Sequence, residues 1–429
     1  MGESYDVVIF GTGLKECILS GILSTEGKKV LHIDRNSYYG GESASLSLRE
    51  LYEKFNKPII LKSDHKKDYS IDLIPKFLTS SGILIKILIK TGVTNYLEFK
   101  PVDGSYVVHN NKIHRIPSSV SEASNSPLMG WIEKMRCAKF LKFISKYDVN
   151  NPSTHHGYNL TFMTTKTLFD KYGLKPDTVN FIGHGMALQV NDEYLNKPAL
   201  PIIQAIQLYS DSVNCYGKSP YIYPLYGLGD LPQAFARLSA VHGGTYMLNA
   251  EYNGLEFNEN GHVSGVKIGN ELVKCNYVIS DPSYFPDKVK LNVKVIRAIC
   301  ICSSPIQDIG SVNSAQVILL QKDFNRANDI YIGMVSSEHM VAPAGKYICI
   351  ISTIIETNDP EKEIEPAYKF LGSIDDKFIS IDNIYKPIND GKEDGIYISK
   401  SYDPETHLGQ TCNDILDMYE RITGKPYNL

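Results

Sequence analysis

Tyr5-Asp6-Val7-Val8-Ile9-Phe10-Gly11-Thr12-Gly13-Leu14-Lys15-Glu16 sets the architecture of this 429-residue chain. Residues 5–10 form an apolar run closed by glycine, which reads as a buried parallel strand. Gly11 and Gly13 supply the tight turn and close backbone approach that a pyrophosphate needs. Asp34 closes a second strand, residues 29–33, about twenty residues on, where a ribose-binding carboxylate belongs. The third glycine of the pattern is missing, and Glu16 stands in its place. A carboxylate there puts negative charge at the helix N-terminus that a pyrophosphate would occupy. The stretch predicts one βαβ unit of the dinucleotide-binding type, with a damaged ligand site.

Working outward, a turn-rich loop follows at Asp34-Arg35-Asn36-Ser37-Tyr38-Tyr39-Gly40-Gly41. Residues 46–55 have helical spacing, and 74–90 read as a second, mainly helical segment. Residues 105–108 and 112–116 read as a hairpin around Asn110-Asn111. After Pro117 strand signals fade and helices take over to about residue 216. Within that block, residues 128–147 carry an apolar stripe wider than one packing face requires. Residues 177–188 and 201–213 are further helices, with starts at Asp177 and Pro201. Strands return afterwards. Residues 245–248 and 274–279 extend the first sheet, and 293–302, 317–321, 330–335 and 347–355 supply others. A helix closes the chain at 414–423. The expected organisation is an α/β domain, residues 1–117 with 217–429, interrupted by an all-α insert at 118–216.

Composition narrows the function. A hydrophobic share of 43% with 21% charged residues is that of a soluble globular protein. The net charge of −4 gives no electrostatic case for nucleic acid. Neither a signal peptide nor a membrane span is expected, since residues 83–89 are too short and interrupted by Lys86. The eight cysteines form no CxxC pair. They read as buried, reduced thiols, and their spacing offers no metal site.

The helix opened by Asp230-Leu231-Pro232 carries two readings. Asp230 caps it, or Asp230 and Arg237, seven residues apart on one face, form a docking surface for a polar partner. Tyr39, in a glycine-flanked loop, is hard to explain as core and reads as a contact residue.

Several segments together resemble the Rab GDP-dissociation inhibitors, which share a superfamily with the Rab escort proteins. They include Gly11-Thr12-Gly13-Leu14 with Glu16-Cys17-Ile18-Leu19-Ser20-Gly21, then Asp34-Arg35-Asn36 and Tyr38-Tyr39-Gly40-Gly41-Glu42-Ser43. Asp72-Leu73-Ile74-Pro75-Lys76-Phe77, Tyr223-Pro224-Leu225-Tyr226-Gly227-Leu228-Gly229-Asp230-Leu231-Pro232-Gln233, Gly243-Gly244-Thr245-Tyr246-Met247-Leu248 and Asp281-Pro282-Ser283-Tyr284 continue the series in order. The resemblance implies an FAD/NAD(P)-binding-like large domain with an additional sheet, not working as an oxidoreductase. It also implies a smaller helical domain that accepts a geranylgeranyl chain.

The implied activity is binding of GDP-bound prenylated Rab GTPases, slowing of GDP release, and their extraction and recycling between membranes and cytosol in vesicle transport. Implied too are a cytoplasmic monomer with transient membrane contact, no cofactor and no catalytic residue. By resemblance, Tyr39, Lys67, Asp230, Gln233, Arg237, Thr245, Tyr246 and Met247 form the Rab-binding platform, Met247 in a mobile loop. Tyr221 is assigned to the GTPase tail. Met129, Ile132, Phe140, Leu141 and Ile144 are the candidate prenyl-binding residues. Gly11, Gly13, Glu16 and Asp34 are a vestigial cofactor loop. The chain departs from the family pattern at Asp230, often Glu, at Lys67, often Arg, and at Cys215, where Arg is typical. The alternatives are an escort protein presenting Rabs for geranylgeranylation and a flavin-dependent oxidoreductase. The short length speaks against the first, Glu16 and the lack of a glycine-rich C-terminal flavin motif against the second.

Overall fold

The computed structural model describes residues 4–60, 69–117 and 129–429. Two seven-stranded sheets dominate it. In the first, the strands Thr245–Met247, Val30–Ile33, Ser4–Phe10 and Glu271–Ser280 run side by side in parallel, and Ile396–Ile398 pairs in parallel with the last of them. Val7, Val8, Ile9 and Phe10 are fully buried, as a strand covered on both faces requires. The helix Leu14–Thr25 leaves the glycine loop and packs against the helix Asp230–Val241. Their approach is close: a Cβ on Gly21 would lie 2.9 Å from the Phe235 ring and 3.2 Å from Leu238. Ser20 and Ser24 reach across to the Ser239 hydroxyl at 3.0 and 2.7 Å.

The second sheet carries Ile374–Pro387, Val289–Cys302, Tyr347–Ile354, Ile330–Ser336, Ala315–Leu319, Gly104–His109 and Lys112–Arg115, in that order. The last two strands form the expected hairpin. Asn110 and Asn111 have φ of 52° and 58°, the two left-handed positions of a type I′ turn.

The helices Trp131–Lys146, Thr165–Tyr172, Pro176–Asn180 and Leu200–Tyr216 pack around Phe140, Phe169, Ile203 and Ile206. That core is continuous with Val107, Ile318 and Tyr331 of the second sheet. Among the described residues, no helix is long and apolar enough to cross a membrane.

Three expectations need correction. Residues 74–90 are not mainly helical: Leu78–Thr79 is a strand, and Gly82 delays the helix until Ile83–Thr91. The helix expected over 177–188 opens with Pro176 and changes at Phe181–Met186 into a π-helix. Gly183 and Gly185 permit that widening, because Tyr194 fills the space beside one, and Ile116 and Val107 the space beside the other. Not every thiol is buried, since Cys215 is exposed and lies 3.2 Å from the Ser81 hydroxyl.

Candidate partner-binding cleft

The site begins where the loop after the second strand meets the helix Asp230–Val241. Gly40 has φ of 102°, and its amide donates to the Thr12 carbonyl at 3.0 Å and hydroxyl at 3.1 Å. A side chain there would collide with Ala44. This mooring to the glycine loop holds the neighbouring Tyr39, whose ring centre lies 6.0 Å from that of Tyr246. Tyr246 in turn lies 4.6 Å from the His32 ring, and its hydroxyl is 2.9 Å from that of Ser20. Burial pushes His32 down to about 4, so the ring is neutral and donates from Nε2 to the Gly11 carbonyl at 2.7 Å.

Asp230 does not cap its helix. Gly229 takes the cap position, and Asp230 is the first helical residue. Its carboxylate accepts no hydrogen bond from the described residues, and partial burial raises its pKa. Gln233 donates to the Gly229 carbonyl at 3.2 Å. The Arg237 guanidinium lies 4.5 Å over the Tyr96 ring and is paired with no carboxylate among the described residues. Tyr39, Tyr96, Asp230, Gln233, Arg237 and Tyr246 line one open cleft of about 470 Å³, floored by Ala234, Ala236 and Ala240. An acidic group, a cation, an amide and three tyrosines on a small-residue floor suit a polar protein surface.

Tyr96 is the residue that sequence reasoning missed. It ends a short turn, Val93–Tyr96, far away in the chain, and only packing brings it to Arg237. Thr245 and Met247 are exposed but alternate with Tyr246, so they face away from the cleft. Met247 lies in an edge strand paired with Ile33 rather than in a loop. Tyr221 is fully buried in the strand Tyr221–Pro224, 5.8 Å from the Phe77 ring, and does not join the cleft. Lys67 lies outside the described residues.

The candidate lipid residues do not share one surface. Phe140 and Ile144 are buried, Leu141 is half-buried, and Met129 borders a void of only about 10 Å³. Ile132 is 63% exposed, so the extra width of the stripe faces solvent.

The dinucleotide loop keeps its shape and fills itself. Gly11 has φ of 84°. Oδ2 of Asp281 occupies the space beside it, and Oε2 of Glu16 the space beside Gly13. Burial and the Asp281 charge raise Glu16 to about 8, so it holds a proton at neutral pH, and Ser399 donates to it at 2.7 Å. Asp34 accepts from the Thr12 amide and hydroxyl at 2.7 and 2.6 Å, leaving its ribose-binding geometry spent on the chain itself. These residues do not fit a flavin or nicotinamide dinucleotide. No group of three or more His, Cys, Asp or Glu among the described residues is arranged to hold a metal.

A dinucleotide-type α/β scaffold, with a self-filled cofactor loop and a polar aromatic cleft beside it, defines a class of binding proteins built on a flavoprotein-like fold. The family model described as "GDP dissociation inhibitor" matches residues 1–429, and the chain belongs to that family. Guanosine nucleotide diphosphate dissociation inhibitors 1 and 2 of Arabidopsis thaliana are 50% and 49% identical over 434 residues, covering 100% of this chain and 97% of each relative. The solved Rab GDI of Plasmodium falciparum is 43% identical with a TM-score of 0.96, covering 100% of both chains. An oxidoreductase of Methanosarcina mazei shares the fold alone, at 14% identity and a TM-score of 0.62 over 97% of this chain and 100% of that one.

Proposed function

We propose that this chain binds prenylated Rab-type GTPases in their GDP form, slows GDP release, and carries them between membrane and cytosol. The observation that supports this reading is the convergence of Tyr39, Asp230, Gln233, Arg237 and Tyr246 on one cleft. Switch loops of such GTPases are ordered by the γ-phosphate and relax without it. A cleft complementary to the relaxed loops binds the GDP form more tightly, and by linkage it favours retention of GDP. No nucleophile or acid–base pair is required, so the activity is regulatory, in keeping with the family's description as an inhibitor.

The lipid arithmetic supports a division of labour. A geranylgeranyl chain of about twenty carbons gains on the order of 10–15 kcal/mol on leaving water, and a bilayer offers nearly the same. Lipid acceptance makes extraction close to neutral, and protein–protein contact at the cleft tips it. The void that Met129 borders, about 10 Å³, is far below ligand size, which is about 300 Å³ or more. The block therefore opens to accept the chain, with Phe140, Leu141 and Ile144 the residues a parting of helices would uncover. Thr245, Met247 and Tyr221 belong to this reading as peripheral or supporting residues, Tyr221 by holding its strand from within, and Lys67 as a contact for the GTPase.

Titration with a prenylated Rab GTPase loaded with GDP or with a GTP analogue tests the reading. It predicts at least tenfold preference for the GDP form, and equal affinities would refute it. A yellow purified protein with a flavin absorbance band would instead favour the oxidoreductase.

A further inference from the structure

The helix Trp131–Lys146 buries Cys137, Phe140, Phe143 and Ile144 on its inner side. Residues 131, 135, 139, 142 and 146 follow one another at three- and four-residue steps, so they share its outer face. The first part of that face is apolar and uncovered: Trp131 is 75% exposed, Met135 55%, and the flanking Ile132 63%. The second part is basic. Lys139, Lys142 and Lys146 are exposed, and none is paired with a carboxylate among the described residues. The helix has one acidic residue, Glu133, and it is turned inward, accepting from the Lys175 amide at 2.7 Å. A chain of net charge −4 thus presents one helix face with apolar and cationic groups and no acidic one.

We propose that this face docks on an anionic bilayer surface, with Trp131, Ile132 and Met135 entering the headgroup region and the lysines meeting lipid phosphates. An indole, apolar with one polar edge, suits that boundary. Lysines beside it gain from the potential of an anionic leaflet. The helix is too charged and short to span, so it lies in the plane of the interface. Charge complementarity selects this occupant. A second copy of this face would meet the lysines with no carboxylate, and an uncharged isoprenoid would leave them unused. The inference rests on the proposed membrane-cycling role for its purpose, although the contact itself needs no GTPase.

Trp131 is the one tryptophan of the chain, so its emission reads this face alone. The full chain is mixed with vesicles of phosphatidylcholine, or of phosphatidylcholine with phosphatidylserine, at about 0.1 M salt. A blue shift and co-flotation are expected with the anionic vesicles only. The Lys139→Glu, Lys142→Glu, Lys146→Glu triple variant is expected to weaken partitioning about 100-fold or more. Ile132→Ser with Met135→Ser tests the apolar end, and the thermal midpoint of each variant checks folding. Three results would overturn the inference: no shift with anionic vesicles, a shift that survives the lysine reversals in a folded variant, or a shift produced without vesicles by raised protein concentration or by a soluble prenyl-cysteine. Binding of GDP-loaded GTPase without vesicle binding overturns this inference alone. Vesicle binding without GTPase binding overturns the functional reading alone.

Discussion

His184 donates from Nδ1 to Oδ2 of Asp329 across 2.7 Å, tying the helical block to the end of a strand in the second sheet. Its Nε2 lies 3.2 Å from Asp192, so both ring nitrogens face carboxylates, an arrangement that favours the charged ring. Burial pushes this histidine down, but the hydrogen bonds it donates to Asp192 and Asp329 outweigh it and lift it to about 9.

The clamp therefore has a pH signature. A folded pKa raised above the unfolded value stabilises fully below about 6.5 and loses that contribution as pH rises through about 9. The contribution at pH 6 is on the order of 3 kcal/mol. Urea midpoints of the wild type and His184→Gln are expected to differ most near pH 6 and to converge above pH 9. A gap that stays constant across the range would rule out the clamp.

Glu16 moves stability in the same direction over a lower pH range. Its pKa is raised to about 8, so the protonated form suits the fold, and stability is lost as pH rises from the unfolded value toward 8. Glu16→Gln supplies a permanently neutral isostere. Its thermal midpoint is expected to gain on the wild type as pH goes from 5 to 8.5, and a midpoint difference without pH dependence would show Glu16 to be ionised throughout.

At the cleft, Arg237→Ala and Asp230→Ala each remove a group free of ion pairs among the described residues, so little stability is at stake. Each is expected to weaken GDP-form Rab binding by roughly 10- to 100-fold, read by titration, with the thermal midpoint nearly unchanged. Tyr96→Ala is expected to cost less by itself. In a double-mutant cycle it should couple to Arg237 by about 0.5–1 kcal/mol, since the ring orients the guanidinium. Strict additivity would mean that the stacking is incidental.

Gly21 offers a remote control of the same cleft. Gly21→Val thrusts methyl groups at Phe235 and Leu238, costing about 1–3 kcal/mol. It also pushes aside the helix that carries Asp230 and Arg237. Reduced affinity with the cleft residues intact is the expected result, and unchanged binding in the destabilised variant would show the helix to be rigidly placed.

The parts legible in the sequence were those governed by local rules. Glycines, alternation and turn residues marked the first βαβ unit and the Asn110-Asn111 hairpin. The shared face of Asp230 and Arg237 follows from helical spacing alone, whereas Gln233 came from the family resemblance. Tyr96 was invisible because its place depends on how the Ile83–Thr91 helix packs, not on its neighbours in the chain. Asp281 stood in a quoted motif, yet nothing local aims its carboxylate at Gly11. The wide stripe of residues 128–147 was seen, but periodicity does not distinguish a second buried face from an uncovered one. Trp131 and Ile132 fell on the uncovered side. Family resemblance carried Tyr221 to a surface role that its strand burial does not support.

The Glu16–Asp281 filling of the glycine loop bears on how the protein is made. A flavoprotein often waits for its cofactor before its nucleotide domain is secure, and supply of the vitamin then limits how much mature protein a cell holds. This chain instead seats its own Asp281 and Glu16 carboxyls beside Gly11 and Gly13. Closure of this loop then follows from folding alone, with groups the chain already carries.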